Sequence, residues 1–378
     1  MIFLILFVSC KPDVEHPSFY GKEKNAYLAY QKDFTSNGLK WGYIDKSGQI
    51  SIRLIYDDAR DFQNGLAAVM SNGRWGCIDK NGNEVIPLRF QTINTNSDEY
   101  ILAKDFLGKY HIYSTEGKVL RDSLNFQSLD QYKKGIGIGQ KDQSFVFVDR
   151  NGEINSIHQY QELIRLTDTL FAAKLSGHFG LINHKEDVLL PFEQGKIYSP
   201  QNNLIRVKND DKYLFYGLPT LDLKSGKYLH ASDFNNGYAV ISKGNSYALI
   251  DTNFLEAPLL YTNVEYGGQN YWIYQANDKF GFLHANGDLM TLPSFDMAMR
   301  FAEGMAGYAL EDAWGYIDSN GEIVLEPILP LAWDYCEGLA RFITPNGYGF
   351  LDKEGKIAIQ AKYREVRDFH DGLARMAN

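Results

Sequence analysis

The chain has 378 residues, of which 44% are hydrophobic and 14% aromatic, and its formal net charge is −9. This much apolar material supports a buried core and excludes a disordered tail. The acidic balance would repel phosphate backbones, so nucleic acid is not an expected partner.

The amino-terminal residues predict a lipid anchor. Residues 1–9 read MIFLILFVS and are followed by Cys10; this run is too short to span a hydrocarbon core, which takes ~20 residues, but it fits the apolar region of a signal peptide. Phe7-Val8-Ser9-Cys10 resembles a lipobox, which implies lipidation of Cys10 and an envelope location, at the periplasmic face or the cell surface. No Lys or Arg precedes the run, and Phe7 stands where Leu is usual. The alternative is an apolar amino-terminal strand with a chance cysteine.

A polar segment and a tandem array follow the predicted anchor. Residues 11–25 are polar and contain two prolines, which is typical of a flexible tether. From residue 26 to 378 an aromatic residue returns every 33 to 35 residues, which predicts about ten repeats. These aromatic residues are Trp41, Trp75, Tyr110, Phe145, Phe179, Tyr213, Tyr247, Phe280, Trp314 and Tyr348. Six of them are followed by glycine, at Gly42, Gly76, Gly180, Gly281, Gly315 and Gly349.

A second motif keeps the same phase as the aromatic residues. Asp61-Phe62-Gln63-Asn64-Gly65-Leu66-Ala67 returns in related form at 233–239 and at 368–374. On these two motifs the chain resembles the WG-containing repeat family of bacteria over residues 26–378. The family's biochemical function is not well defined, so the resemblance implies an architecture of β repeats rather than a mechanism.

One repeat is predicted to be an antiparallel β-meander. In residues 66–87, short apolar runs are bounded by Asn/Gly clusters, which is typical of strands joined by tight turns. Asp79-Lys80-Asn81-Gly82 suits a type I turn closed by a left-handed glycine. Alternation places Trp75 on one face of its strand and Gly76 on the other. We expect the ring to fill the space between consecutive repeats, since one small sheet cannot bury its own apolar face.

Two global arrangements fit such repeats. The predicted fold class is all-β, and ten short repeats favour an open β-solenoid or superhelix over a closed propeller-like toroid, because propellers rarely exceed eight blades. Two features leave the closed form open: Ala26–Tyr30 resembles an outer strand of the first repeat, and the chain ends on a lone first strand, 372–377. These ends could pair with each other or simply cap an array.

The sequence contains no recognisable catalytic constellation. The recurring aspartates, such as Asp45 and Asp79, are interpreted as turn residues, and the eight histidines show no metal-ligand spacing. We therefore predict no enzyme activity, no metal and no cofactor. Trp272 and Trp333 lie outside the repeated tryptophan position and are the candidates for exposed ligand contacts.

Three functions are compatible with these features. The leading hypothesis is an envelope-tethered, monomeric scaffold that binds protein or cell-wall glycan through a surface of the repeats. A carbohydrate-active enzyme on a toroidal scaffold is the second, and it requires two carboxylates about 5–9.5 Å apart in one pocket. The third is a structural spacer, in which the divergent third, fourth, sixth and seventh repeats have no ligand-related meaning.

Overall fold

A computed structural model describes residues 38–97, 99–149, 151–244, 247–258 and 263–378. Cys10, the tether 11–25 and the Ala26–Tyr30 segment lie outside these ranges. The chain divides into two compact units, one formed by residues up to 84 together with those from 261 onwards, and one formed by residues 85–260. The described residues contain no helix long and apolar enough to cross a membrane.

The unit that contains both ends of the array is built of antiparallel strands. They are β1 (Trp41–Asp45), β2 (Ile50–Tyr56), β3 (Asp58–Ala59), β4 (Leu66–Ser71), β5 (Arg74–Asp79), and, after the second unit, β26 (Asn263–Tyr266), β27 (Tyr271–Ala276), β28 (Lys279–His284), β29 (Met297–Ala298), β30 (Met305–Leu310), β31 (Ala313–Asp318), β32 (Ile323–Leu329), β33 (Ala332–Cys336), β34 (Leu339–Thr344), β35 (Gly347–Leu351), β36 (Ile357–Tyr363), β37 (Glu365–His370) and β38 (Leu373–Ala377). Most sheets are meanders of consecutive strands, for example β29-β30-β31-β32 and β33-β34-β35-β36.

The second unit repeats this pattern. After β6 (Glu84–Phe90), which begins at the division between the units, its strands are β7 (Thr92–Asn94), β8 (Tyr100–Lys104), β9 (Tyr110–Ser114), β10 (Val119–Leu124), β11 (Ser128–Lys133), β12 (Ile136–Lys141), β13 (Ser144–Asp149), β14 (Glu162–Arg165), β15 (Leu170–Leu175), β16 (His178–Asn183), β17 (Val188–Gln194), β18 (Lys196–Ile197), β19 (Leu204–Asn209), β20 (Lys212–Gly217), β21 (Asp222–Tyr228), β22 (His230–Ala231), β23 (Tyr238–Ser242), β24 (Tyr247–Asp251) and β25 (Glu256–Pro258). They form the sheets β7–β10, β11–β13, β14–β17, β18–β21 and β22–β25.

The two ends of the array meet in one sheet, of order β2-β1-β38-β37. Trp41 pairs with Ala377 and Asp45 pairs with Leu373, in continuous antiparallel register. The open solenoid that we favoured is therefore wrong, and the closed, propeller-like alternative is supported. The physical reason is that β1 and β38 would otherwise each expose an unpaired strand edge, which invites pairing with other chains.

The recurring aspartates form the tight turns that the sequence predicts. In the turn after β31, Gly321 N–H donates to the carbonyl of Asp318 at 3.0 Å, and Gly321 has a φ of +81°. The carboxylate of Asp318 accepts the N–H groups of Asn320 at 2.8 Å and Glu322 at 2.9 Å. The aspartate carboxylate thus accepts hydrogen bonds from backbone N–H groups of its own turn. The same Asp-to-Gly bond closes the turns at Asp45, Asp79, Asp149 and Asp352.

The glycine after the aromatic residue allows the outer strand to bulge over it. Trp314 pairs with Leu329, but Tyr316, two residues on, pairs with Leu325, so the outer strand has two extra residues here. A Cβ atom at Gly315 would lie 2.3 Å from the Leu325 carbonyl oxygen. The same register shift occurs opposite Gly42, Gly180 and Gly349.

The core lies between consecutive sheets rather than within one. A typical buried cluster contains Trp314 and Tyr316 of β31 together with Tyr335 and Phe342 of the next sheet. The Tyr316 hydroxyl crosses between the sheets and donates to the Trp333 carbonyl at 2.7 Å. Each sheet therefore covers the apolar face of its neighbour, as the repeat interpretation requires.

Candidate functional site

The ten aromatic residues of the repeat divide into two groups. Trp41, Phe179, Phe280, Trp314 and Tyr348 are buried. The other five are half-buried, and four of these belong to the second unit, at Tyr110, Phe145, Tyr213 and Tyr247, while Trp75 belongs to the first. The ring position thus serves the core in some repeats and reaches the surface in others.

The two tryptophans predicted as exposed contacts are buried. Trp272 has no exposed surface, and its indole N–H donates to the Ala285 carbonyl at 2.9 Å. Trp333 is 4% exposed, and its ring packs against that of Tyr348 with centroids 5.7 Å apart. The prediction of exposed contacts at these positions is wrong, because both side chains are buried.

Arginine–aspartate pairs connect consecutive sheets at the second motif of the repeat. Arg341 of β34 contacts Asp368 of the closing sheet, with Nε 2.6 Å from Oδ1, and it donates to the Val366 carbonyl at 3.0 Å. Arg341 is buried, so this pair is held away from water, where charge-assisted bonds are strong. Two further pairs occupy equivalent positions, Arg375 with Asp61 at 2.7 Å and Arg206 with Asp233 at 2.9 Å.

Asp334 occupies the same position as these aspartates but lacks the equivalent arginine. The preceding sheet has Gly307 where Arg341 would stand, and a Cβ atom there would meet the Met299 sulfur at 2.6 Å. The Asp334 residue is half-buried, yet its Oδ1 atom is buried and has no hydrogen-bond partner among the described residues. Burial, opposed by the charge of Arg300, raises the pKa of Asp334 to about 7. The carboxyl group of Asp334 is therefore partly protonated near neutral pH.

A buried glutamate replaces the turn glycine between β16 and β17. Glu186 has a φ of +66°, and its carboxylate accepts the N–H groups of Ile157 at 2.7 Å and His158 at 3.0 Å. It also accepts from the Tyr160 hydroxyl at 2.7 Å and from His158 Nδ1 at 2.8 Å. Burial alone would raise the pKa of Glu186, but these hydrogen bonds outweigh it and lower the pKa. These hydrogen bonds join two neighbouring sheets, and both carboxylate oxygens of Glu186 accept at least one of them.

The second unit carries a surface that combines tyrosine rings with unpaired cations, which we call the tyrosine–lysine surface. Sheet β18–β21 and sheet β22–β25 both contribute to it, and the two sheets share a buried cluster that contains Phe215 and Phe234. Its members are Lys196, Tyr198, Lys208, Tyr213, His230 and Tyr247. Apart from Lys196 and His230, which are exposed, all of them are half-buried.

The rings of this surface follow one another from sheet to sheet. The ring centroids of Tyr198 and Tyr213 are 6.3 Å apart, those of Tyr213 and His230 are 6.2 Å apart, and those of His230 and Tyr247 are 6.2 Å apart. Arg206 lies under this row, with its guanidinium carbon 3.9 Å from the Tyr198 centroid. The result is a short, continuous row of partly exposed rings that are tilted against one another by 38° to 66°.

Two lysines of the surface face each other directly. Lys196 pairs with Lys208 across the ladder between β18 and β19, and Lys208 in turn pairs with Tyr213. The ammonium nitrogen of Lys196 is 4.8 Å from the Tyr198 centroid, and that of Lys208 is 5.7 Å from the Tyr213 centroid. Like charges directly opposite one another destabilise a sheet. Among the described residues, no carboxylate lies within ion-pair distance of either lysine; Asp233, which pairs with Arg206, is the acid that attracts Lys196.

The preceding sheet places an acid opposite the lysine at this position. There the equivalent residue is Lys174, which pairs across the ladder with Glu162, and the two charges are 2.8 Å apart. Lys174 also lies over the ring of Phe179, with 5.3 Å from nitrogen to centroid. The tyrosine–lysine surface differs from this arrangement at the partner strand, where Lys196 replaces the glutamate.

The titratable groups of the surface are arranged so that it is cationic near neutral pH. Burial, followed by the charge of Arg206, lowers the pKa of His230. Burial, with Tyr213 as the next contribution, raises the pKa of Tyr198 to about 12. The positive charge of the surface comes from Lys196, Lys208 and Arg206, and the carboxylate of Asp233 pairs with Arg206. Within the described segments, no group of three or more His, Cys, Asp or Glu could hold a metal ion.

Sequence analysis missed most of this surface. The periodicity identified Tyr213 and Tyr247, but it assigned both to packing between repeats. Lys196 and His230 lie on two-residue first strands, and Tyr198 directly follows one of them, in segments that vary between repeats and show no motif. The signal in the sequence was Lys208, a charged residue on the strand opposite the repeated aromatic position. Its partner on the other neighbouring strand is a second lysine rather than an acid.

The sequence matches the WG containing repeat at residues 41–75, 75–110, 179–213, 314–343 and 348–377. None of the curated proteins compared with the chain matches it significantly.

Several solved structures are similar at low identity. One is described as the crystal structure of the eukaryotic initiation factor, with 11% identity, a TM-score of 0.45, and coverage of 75% of this chain and 94% of that chain. A second is PorZ, described as a bacterial surface component of the type-IX secretion system of Porphyromonas gingivalis, with 11% identity, a TM-score of 0.28, and coverage of 83% and 54%. The C-terminal WD40 domain of Sif2 gives 10% identity, a TM-score of 0.35, and coverage of 68% and 92%. At these TM-scores the similarities carry no argument about function.

Proposed function

We propose that this chain, in which five segments match the WG containing repeat, is a binding scaffold without catalytic activity. It would recognise protein or cell-wall glycan through side chains that the repeats present at their surface. A repeat array suits this role, since each sheet is stabilised by its neighbours and individual surface positions are free to vary.

The tyrosine–lysine surface is the observation that carries the proposal. In repeats such as those of Trp314 and Tyr348, the aromatic position is buried in the core. At Tyr213 and Tyr247 the same position is half-exposed and is joined by two cations. Rigid amphipathic rings next to charges are a common composition of recognition surfaces. This supports a ligand-binding role for the divergent sixth and seventh repeats.

The proposed location is the bacterial cell envelope, with the membrane reached through a lipid on Cys10. The support is the sequence Phe7-Val8-Ser9-Cys10 and the apolar run before it. Metabolic labelling with radioactive palmitate tests this in the native host. We expect label in the wild-type chain and none after Cys10→Ser. A wild-type chain that remains unlabelled and soluble would remove the envelope assignment and leave the binding proposal standing.

The binding role is tested with a chain that lacks only residues 1–10. This form is immobilised and exposed to envelope extracts and to isolated cell-wall polysaccharide, and we expect specific retention of one component. Tyr213→Ala should reduce retention, because it removes the central ring of the surface. Tyr110→Ala is the matched control, a half-buried tyrosine at the same repeat position in the same unit. Equal retention by both variants, or no retention by the wild type, would favour the structural spacer.

A further inference from the structure

We propose that the tyrosine–lysine surface binds an acidic glycan, a chain of sugar rings that carry carboxylate or phosphate groups. The inference rests on the proposed binding function and names its ligand class. Three features of the surface lead to it: the opposed lysines, the row of rings, and the two-residue length of the edge strands that carry Lys196 and His230.

The first step concerns charge. Lys196 and Lys208 are opposed in the ladder, although Glu162 opposite Lys174 shows that the repeat accommodates an ion pair at this place. An anion between the two ammonium groups would relieve their repulsion and gain two charge-assisted contacts. Because both nitrogens lie over tyrosine rings, they are held near the ring row. The surface is thus arranged for an anionic group placed beside Tyr198 and Tyr213.

The second step concerns the rings. Tyr198, Tyr213, His230 and Tyr247 continue across two sheets at centroid spacings of 6.2 to 6.3 Å. Such a row offers the exposed parts of successive rings, and each tyrosine adds a hydroxyl that can donate or accept. A polymer of rings with polar edges makes use of both features at every step. A small inorganic anion would use the lysines alone.

The third step separates a glycan from an acidic peptide. An extended peptide commonly binds by adding a strand to an exposed sheet edge. Here the edge strands beside the two lysines and His230, β18 and β22, are two residues long, so they offer almost no edge for main-chain pairing at this surface. The longer β21 forms the opposite edge of its sheet. The surface is formed by side chains alone. This favours a ligand that is recognised through ring faces and charges rather than through backbone hydrogen bonds.

The test uses the chain that lacks only residues 1–10. Polygalacturonate is the carboxylated glycan, and a glycerol-phosphate teichoic acid is the phosphorylated one. Neutral dextran and poly-glutamate are the comparison polymers. The decisive variant is Lys196→Glu, which reproduces the Lys174–Glu162 pair of the preceding sheet. Lys185→Glu is the matched control, since Lys185 is an exposed lysine of the same unit and the change in net charge is identical. Calorimetry gives the affinity and thermal denaturation gives the stability.

We expect one of the acidic glycans to bind, with affinity that falls as salt is raised because exposed charges are screened. Lys196→Glu should weaken binding by about tenfold or more without lowering the denaturation midpoint, whereas Lys185→Glu should change affinity by less than about twofold. Preference between polygalacturonate and teichoic acid identifies the anionic group.

Three outcomes would overturn the inference. Equal binding of dextran shows that charge is not recognised, and stronger binding of poly-glutamate shows that the ligand is a peptide; both leave the proposed binding function intact. Binding of an acidic glycan that Lys196→Glu does not weaken places the site elsewhere. If no polymer binds, the acidic-glycan inference falls, and retention from envelope extracts then decides the broader proposal separately.

Discussion

Replacing Gly315 with alanine should destabilise the unit that contains it, because the outer strand of its sheet passes directly over this glycine. The added Cβ atom would lie 2.3 Å from the Leu325 carbonyl oxygen and 2.9 Å from the Pro327 nitrogen. Both are backbone atoms, so no side-chain rotation relieves the contact. The bulged strand would have to retreat by roughly 1 Å to reach an ordinary contact distance.

The magnitude follows from two opposing contributions. Forcing extra volume into a packed site typically costs about 1–3 kcal/mol, and the shift also strains the β31–β32 ladder. Alanine also lowers the conformational entropy of the unfolded chain, which stabilises the folded state by about 0.4–1 kcal/mol. We therefore expect Gly315→Ala to lower the free energy of unfolding by about 2 kcal/mol.

Urea denaturation followed by far-ultraviolet circular dichroism measures this loss. Gly217→Ala is the control, since its Cβ atom would meet only the flexible side chain of Lys224. We expect this control to differ from the wild type by less than about 1 kcal/mol. A Gly315→Ala chain as stable as the Gly217→Ala chain would refute the explanation of the repeated glycine by close strand approach.

Four further expectations follow from the core and the closing sheet. Asp334→Asn should stabilise the chain at pH 8 and change its stability little at pH 3, because the pKa of Asp334 is raised to about 7, so native stability falls as pH rises from the ordinary aspartate pKa, about 3.9, to about 7. Equal effects at both pH values in urea denaturation would contradict this. Glu186→Gln should cost about 1–3 kcal/mol at pH 7 and progressively less below pH 4.5, since the lowered pKa of Glu186 gives stability that is present above that pH and lost as pH falls; a cost that does not shrink in acid would argue against it. Arg341→Ala should cost about 2–4 kcal/mol by leaving Asp368 without its cation, whereas a loss below 1 kcal/mol on denaturation would show that the pair is dispensable. Deletion of 373–378 should abolish the cooperative unfolding transition in tryptophan fluorescence, because all five tryptophans belong to the unit that this segment closes; a retained sharp transition would show that β38 is not required.

The periodic part of the fold could be predicted from the sequence. The spacing of the aromatic residues predicts the meander and the stacking of its sheets, and the Asp-to-Gly pattern predicts turns such as that at Asp318. These features are local or repeat at a fixed interval, so each copy supports the others. The long outer strand and its bulge were missed, because they depend on a register shift that leaves no mark in the hydrophobic pattern.

Global closure and the candidate site were beyond the sequence for different physical reasons. Whether β1 pairs with β38 depends on the small rotation between successive sheets, which accumulates over the array and is not encoded in any one repeat. The tyrosine–lysine surface depends on which face of each first strand is covered. Lys196 and His230 lie on two-residue strands, where alternation gives no information about direction.

The sheet that joins both ends of the array has a consequence for biogenesis. Trp41 and Ala377 are synthesised more than three hundred residues apart, yet they stand side by side in the finished protein. Such a long-range pairing is slow to form, and the edge of β1 stays open while the intervening repeats emerge and fold. A chain that is interrupted before its last strand would carry that open edge permanently, which makes truncated products prone to aggregate and easy for proteases to recognise.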